Sequence, residues 1–373
     1  MIEKGKACDV LIVGAGPAGA ATGLALARQG FSVVLLDRGD ARSATLGESL
    51  PGAVELALRE LGVWQDFLKQ PQKHSFLTLS CWSEPGIRER PAIASRFGAS
   101  FHVSRPSFDA FLVGAARAAG VQVILPGRVE RLVRNARGAG FAVKLKTSAG
   151  VEHWSSRFLV DATGRSASIA RRLGATRSLV DRLIGVARWF DAPSLPPAVL
   201  VESTPNGWWY SAPVPEGGAV ALWLTDADEP TARAQRAEVW ESCLTAAPHT
   251  RARLAELTPT GAGRSFAATP AATTWACADD WLPVGDAAIA FDPISGNGLA
   301  FALRSALEAA VVFGAARGGR GEWFERYRAG VRDVYLQHLT RRAELYAAVR
   351  RWPDSRFWAR QRGPQQLDPS LPG

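Results

Sequence analysis

The stretch Asp9-Val10-Leu11-Ile12-Val13-Gly14-Ala15-Gly16-Pro17-Ala18-Gly19 decides the fold. Val10 to Val13 are continuously apolar, as a parallel strand buried on both faces requires. Gly14, Gly16 and Gly19 follow in GxGxxG spacing. The first glycine makes the turn, the second lets backbone approach a diphosphate, and the third packs helix against strand. The helix opening there aims N–H groups and about half a positive charge at the phosphates. Its pattern runs from Gly16 through Arg28 and stops at Gly30, a C-terminal glycine signal. Phe31 to Leu36 reads as the second strand, ending at Asp37, where a carboxylate suits an adenosine ribose diol.

About 270 residues further on lies a second signature, Gly285-Asp286-Ala287-Ala288, followed by Asp292-Pro293 and Gly296-Asn297-Gly298. A nicotinamide-binding domain normally needs only the first signature. A flavin dinucleotide with its diphosphate near one end of the chain and its ring near the other needs both. The pair therefore reads as an FAD enzyme. Asp286 is placed to hydrogen-bond the ribityl chain, and Pro293 through Gly298 to form a loop against the ring. A helix starting near Gly298 would favour the negative charge of a reduced flavin.

The rest of the composition narrows the class. With 373 residues, 47% hydrophobic and 21% charged, the chain can build one large α/β unit with an inserted sheet, or two domains sharing an interface. Cys8, Cys81, Cys243 and Cys277 show no CxxC spacing, which argues against a metal site or a disulfide framework. The longest apolar stretch, Leu299 to Ala316, is broken by Arg304 and Glu308, so no membrane span is expected. No charged segment leads into an apolar one at the start, and the expected location is cytoplasmic. The net charge of +9 is uneven: between Arg317 and Arg362 there are 12 Arg against 5 acidic residues. This reads either as arginine on a solvated helical face or as a docking surface for an acidic protein or peptide. No nucleic-acid motif accompanies it.

The expected organisation is an FAD-binding domain in three parts (1–74, 105–180 and 276–316) interrupted by a substrate domain (75–104 and 181–275). A helical region, 317–362, and a disordered tail, 363–373, follow. Pro51 to Phe67 reads as one amphipathic helix with Val54, Leu58, Leu61 and Trp64 on one face. Ser107 to Gly120 reads as another, with Ser107 as N-cap. Residues 184–225 alternate apolar and polar positions around Pro205-Asn206-Gly207 and Pro215-Glu216-Gly217-Gly218, an antiparallel pattern. Glu322 to Arg351 reads as a long helix with Phe324, Tyr327, Val331, Val334 and Leu345 on its apolar face.

Gly14–Gly19, Asp161-Ala162-Thr163-Gly164-Arg165 and Gly285-Asp286 with Asp292-Pro293 together resemble the glutathione-reductase-type FAD fold. Within it they are most similar to the para-hydroxybenzoate-hydroxylase-like flavin monooxygenases. The resemblance implies an α/β fold: a Rossmann-like FAD-binding domain with an inserted antiparallel substrate sheet and a C-terminal helical segment. It implies FAD contacts from Gly14, Gly16, Gly19, Asp37, Arg38, Ser49, Arg105, Val129, Asp161, Gly164, Gly285, Asp286, Pro293, Gly296, Asn297 and Gly298. Electrons would come from NADH, NADPH or a partner flavin reductase, and O₂ would be activated as a C4a-hydroperoxide on the flavin.

Gly47-Glu48-Ser49-Leu50-Pro51 resembles the GE turn of the flavin-dependent tryptophan halogenases. Those enzymes also carry a WxWxIP motif and an essential lysine about thirty residues beyond the turn. Here the aromatic segment is Trp208-Trp209-Tyr210-Ser211-Ala212-Pro213, and Lys69 and Lys73 fall early. Tyr346, Arg351-Trp352-Pro353 and Phe357-Trp358 are similar to the ending of flavoproteins that mature quinone cofactors, the lysine- and glycine-oxidase maturases and the quinohemoprotein amine dehydrogenase tryptophan hydroxylase. That resemblance implies hydroxylation of a tryptophan side chain in a partner protein docked on the Arg-rich region. Trp208, Tyr210, Asn297 and Glu48 are the expected catalytic residues, and His102 is expected to be a hydrogen-bonded structural histidine. The other readings are a small-molecule aromatic hydroxylase, a halogenase, a geranylgeranyl-reductase-like flavin reductase and a non-catalytic flavin-binding chaperone.

Overall fold

The computed structural model describes residues 5–39, 49–95, 97–135, 140–193, 195–274 and 280–363. Glu48, Cys277 and the expected tail beyond Gly363 lie outside the described residues.

The apolar run at the start forms the strand Lys6–Val13, with Val10, Leu11 and Ile12 wholly buried. Each such side chain stabilises the fold by roughly 1.5–3 kcal/mol relative to exposure. The strand lies between two parallel neighbours, Val33–Leu36 and Gly150–Asp161. Gln122–Ile124 extends the sheet on one side, and Trp281–Pro283 pairs parallel to the end of Gly150–Asp161 on the other. Phe141–Thr147 and Gly127–Arg134 complete it as an antiparallel extension. This order brings the carboxyl ends of Lys6–Val13, Gly150–Asp161 and Trp281–Pro283, and so both glycine signatures, to one edge.

A second, eight-stranded sheet is built on Leu183–Asp191, Gly218–Asp226, Gly207–Val214 and Ala198–Thr204, consecutive neighbours in antiparallel register. Leu77–Cys81 joins it parallel to Ala198–Thr204, and Arg88–Pro91 pairs beyond. The two-residue period divides the tryptophans between faces. Trp208 packs with Leu222, Leu224, Tyr346 and Trp358 beneath the C-terminal helices. Trp209 and Trp223 pack with Trp240 and Leu254 beneath the helices Ala237–Thr245 and Pro248–Leu254.

Three helices differ from the sequence reading. The expected helix Pro51–Phe67 is two, Val54–Glu60 and Trp64–Phe67, because Gly62 takes φ +63° between them; the stripe of Val54, Leu58, Leu61 and Trp64 is nonetheless buried throughout. The helix assigned to start after Ser107 runs Arg105–Ala118 from Ser104. Pro106 in its first turn is pre-set for helix and carries no N–H to lose, which moves the cap three residues upstream. The long C-terminal helix ends earlier, as Glu322–Ala347, and a short helix Arg356–Arg362 follows. The helix Gly298–Arg317 is long and apolar enough to cross a membrane, but 67% of its apolar window is buried inside the molecule, as in a core helix.

Candidate functional site

In the first glycine signature, two glycines close the turn and the third leaves it open. A Cβ on Gly14, whose φ is +109°, would lie 2.1 Å from the Ala162 carbonyl oxygen, and one on Gly19 would lie 1.8 Å from that of Gly14. A Cβ on Gly16 would meet nothing within 4 Å, and the same holds for Gly164, Gly296 and Gly298. Open space in front of glycine backbone at two helix N-termini is the cradle a dinucleotide needs, so these residues fit FAD. A cavity of about 1030 Å³ adjoins the turn, lined by Gly14, Asp37, Arg38, Val129 and Thr163, with Arg128, Lys146 and Arg172 as further cations.

Two of the expected contact carboxylates accept hydrogen bonds from the backbone. Asp37 accepts from the Ala15 and Gly39 N–H groups, at 2.8 and 2.9 Å, and so ties the glycine turn to the second strand. Asp161 is fully buried and accepts from Thr163 N and Oγ1 and from the N–H groups of Ile169 and Ala170. It shapes the Thr163–Ala170 turn, and burial raises its pKa against those hydrogen bonds.

At the second glycine signature, Gly285 adopts φ +56°, and Asp286 stays partly exposed, 3.6 Å from the Arg165 guanidinium. Arg165 in turn donates to the carbonyls of Thr269 and Phe291, and Arg177 donates to the Asp286 carbonyl. Pro293, Gly296, Asn297 and Gly298 form a turn, with Gly296 at φ +62°, that leads into the helix Gly298–Arg317; Asn297 is exposed. Arg105 pairs with Asp109 at 3.1 Å and is nearly buried.

Ser49 lies opposite His102 in a small antiparallel sheet, and Lys73 lies opposite His102 from the other side. Directly opposed residues share a face, so Ser49, His102 and Lys73 stand together. The expectation of a hydrogen-bonded His102 is corrected: it is 0% exposed, and neither ring nitrogen has a hydrogen-bond partner among the described residues. Burial, with help from the Arg253 and Lys73 charges, pushes its pKa down to about 4, so the ring is neutral. Lys69 is a surface residue paired with Asp66. Trp208 offers no free wall to a substrate: it is 1% exposed, and its Nε1 donates to the Tyr346 hydroxyl at 3.0 Å. Tyr210 is half-buried on the same strand.

Two arrangements were invisible in the sequence. Cys81, Glu202 and His249 bring potential ligand atoms within 4.8 Å of one another. The Glu202 carboxylate there accepts from the backbone of His249 and Thr250, and Arg351 approaches the thiol, which explains the cluster without an ion. Around Asp292, which is fully buried, Arg342 Nε donates to Oδ2 at 2.7 Å and the Tyr346 hydroxyl donates to the same atom at 3.0 Å. His338 Nε2 accepts from the Asp292 N–H at 3.1 Å. The helical spacing of 338, 342 and 346 was the available signal, but it reads as polar.

A family model described as an FAD binding domain matches residues 7–342, and the chain belongs to that family. The chain is 27% identical over 361 residues to LodB of Marinomonas mediterranea, which carries the name of an FAD-dependent oxidoreductase; the match spans 95% of this chain and 96% of LodB. Among solved structures, the peptidyl tryptophan dihydroxylase QhpG, essential for tryptophylquinone cofactor biogenesis, is 27% identical with a TM-score of 0.73, covering 97% of this chain and 80% of QhpG. The myxobacterial chondrochloren halogenase CndH superposes with a TM-score of 0.86 at 21% identity, covering 97% of this chain and 87% of CndH, a likeness of fold. The protein is an FAD-dependent oxidoreductase.

Proposed function

We propose that this enzyme hydroxylates a tryptophan side chain of a partner polypeptide during tryptophylquinone maturation. The observation that carries the reading is the nearly end-to-end correspondence with QhpG, at higher identity than the halogenase that matches its fold better. Bound FAD would supply activation of O₂. In the overall balance, one oxygen atom enters the indole C–H bond and the other leaves as water, with two electrons from NADH, NADPH or a partner reductase and two protons, one of them from solvent where the nicotinamide supplies the hydride. The chain's own task is to hold the ring, exclude water and favour an anionic flavin through the N–H groups at Gly296 to Gly298.

A partner would meet the C-terminal region through the arginines not spent in ion pairs. Arg342 is buried, Arg356 and Arg360 pair with Asp228, Arg328 with Glu325, and Arg341 with Glu344. Arg320, Arg326 and Arg350 are exposed on the same region and free of ion pairs among the described residues, which suits an acidic docking segment.

Halogenation is the second reading, favoured by one observation: Lys73 stands on the face of His102 and Ser49, the residue that follows the GE turn. One experiment separates the two. The FAD-loaded enzyme is given a reductant, labelled O₂ and bromide, with a tryptophan-containing partner protein or free aromatic compounds, and the products are weighed. Labelled oxygen in a peptidyl tryptophan is the expected result. Bromine in the product, or oxygen only in free aromatics, overturns it.

A further inference from the structure

We propose that one stripe of the helix Glu322–Ala347, formed by His338, Arg342 and Tyr346, positions the flavin-side turn Pro293–Gly298 and couples it to the substrate sheet through Asp292. The three residues are spaced i, i+4 and i+8, which places them on one helical face. All three bond to the same buried residue. His338 takes its N–H, Arg342 and Tyr346 hold one carboxylate oxygen, and the other oxygen accepts from the Ile294 N–H at 2.9 Å. The Asp292 carbonyl also accepts from Ser295, at 3.1 Å from N and 3.0 Å from Oγ. The turn is therefore anchored at its root, while its tip at Gly296 and Asn297 is exposed.

The same helical residues reach the substrate sheet. The Tyr346 hydroxyl accepts from Trp208 Nε1, and Arg342 also binds Asp181, just ahead of the strand Leu183–Asp191, and Gln361. Gln361 Nε2 donates to Asp226 Oδ1 at 3.0 Å, and Arg360 grips the other Asp226 oxygen at the end of Gly218–Asp226. Three hydrogen-bonded routes thus join the substrate sheet to Asp292: Trp208 through Tyr346, Asp226 through Gln361 and Arg342, and the Leu183 N–H through Asp181 and Arg342. Trp208, Tyr346, Arg342 and Asp292 are each no more than 1% exposed, so water does not screen these links. His338 must remain neutral to accept at Nε2, and burial, pushing its pKa down to about 4, keeps it so. These are positioning residues: they act on the flavin through Asp292 and its turn, whichever substrate the enzyme takes.

The test is the midpoint potential and visible spectrum of bound FAD in the purified holoenzyme, without substrate, for Tyr346→Phe, Arg342→Gln and Arg342→Lys. Each of the first two removes a donor that offsets the Asp292 charge, so the reduced, anionic flavin is disfavoured. Arg342→Gln is expected to weaken binding of reduced relative to oxidised flavin about tenfold, a fall of about 30 mV for a two-electron couple. Tyr346→Phe shifts it the same way by about threefold, and Arg342→Lys recovers most of the wild-type value. If Arg342→Gln fails to fold, the milder Tyr346→Phe decides. A lowered melting temperature with potential and spectrum unchanged overturns the proposal and leaves a structural clamp. The readout needs no substrate, so its failure is distinct from failure of the tryptophan-hydroxylation reading.

Discussion

Arg342 donates its Nε to Asp292 at 2.7 Å across 50 residues of sequence, with side chains 1% and 0% exposed. Two charges so buried each carry a desolvation cost, and mutual attraction offsets it only while both partners are present. Arg342→Met strands Asp292 and is expected to destabilise the protein by about 3–5 kcal/mol. Adding Asp292→Asn should recover part of that loss, because the pair is coupled. Urea unfolding of the single and double variants checks this. Additive losses would mean that the two side chains act independently.

Gly14 and Gly16 are expected to fail in different ways. A side chain on Gly14 runs into the Ala162 carbonyl from a left-handed backbone, so Gly14→Ala should lower the melting temperature of the apoprotein. Gly16 faces open space, so Gly16→Val should fold normally and lose its flavin. Thermal melts beside the yellow absorbance of the purified proteins separate the cases. A yellow Gly16→Val protein removes the diphosphate from that turn.

The glycine signatures were legible because their function lies in local backbone conformation, which a few consecutive residues determine. The buried strand after Asp9 and the antiparallel run through Trp208 were legible for a similar reason, since periodicity of two or continuous apolarity reports burial. The roles of His338, Arg342 and Tyr346 were not. Composition counts an arginine as surface charge, and only the fold shows that Asp181 and Asp292 surround this one. Phe324, Tyr327 and Val331 form the expected apolar face of the first half of that helix; in the second half His338, Arg342 and Tyr346 share the buried side with Tyr335 and Leu339, and the expected Val334 and Leu345 are only partly buried. His102 escaped for the opposite reason: a buried histidine is expected to find a partner, and this one has none among the described residues.

The buried, unpartnered His102 has a pH signature. Its folded pKa of about 4 lies below the usual 6.5, so between those values the unfolded chain binds the extra proton. Stability is therefore lost as pH falls from 6.5 towards 4, with a slope of up to about 1.4 kcal/mol per pH unit for one proton. His338 adds a slope of the same sign. Asp226, raised to about 6 by burial, opposes them over part of the range. His102→Phe should flatten the acid limb by up to one proton. It should also be as stable as wild type or more so at pH 7.5, since a buried unpaired polar group costs about 1–3 kcal/mol. Urea midpoints at pH 5 and 7.5 give both quantities, and an unchanged acid slope would mean that His102 is not the titrating group.

Lys73 and Lys69 offer the sharpest division between oxygen insertion and halogenation. Lys69 is exposed and bound to Asp66, and a surface pair of this kind is worth at most about 1 kcal/mol, so Lys69→Met serves as the control. Lys73 shares a sheet face with His102 and Ser49, where an amine could meet an oxidised halide. Under the hydroxylation reading, Lys73→Met still transfers oxygen to tryptophan, within about threefold of the wild-type rate (under 1 kcal/mol in the barrier). Neither protein incorporates halide at any bromide concentration. Product masses from wild type, Lys69→Met and Lys73→Met in labelled O₂ and bromide provide the check. Bromination by the wild type that disappears in Lys73→Met alone would assign the enzyme to halogenation, with Lys73 as its catalytic residue.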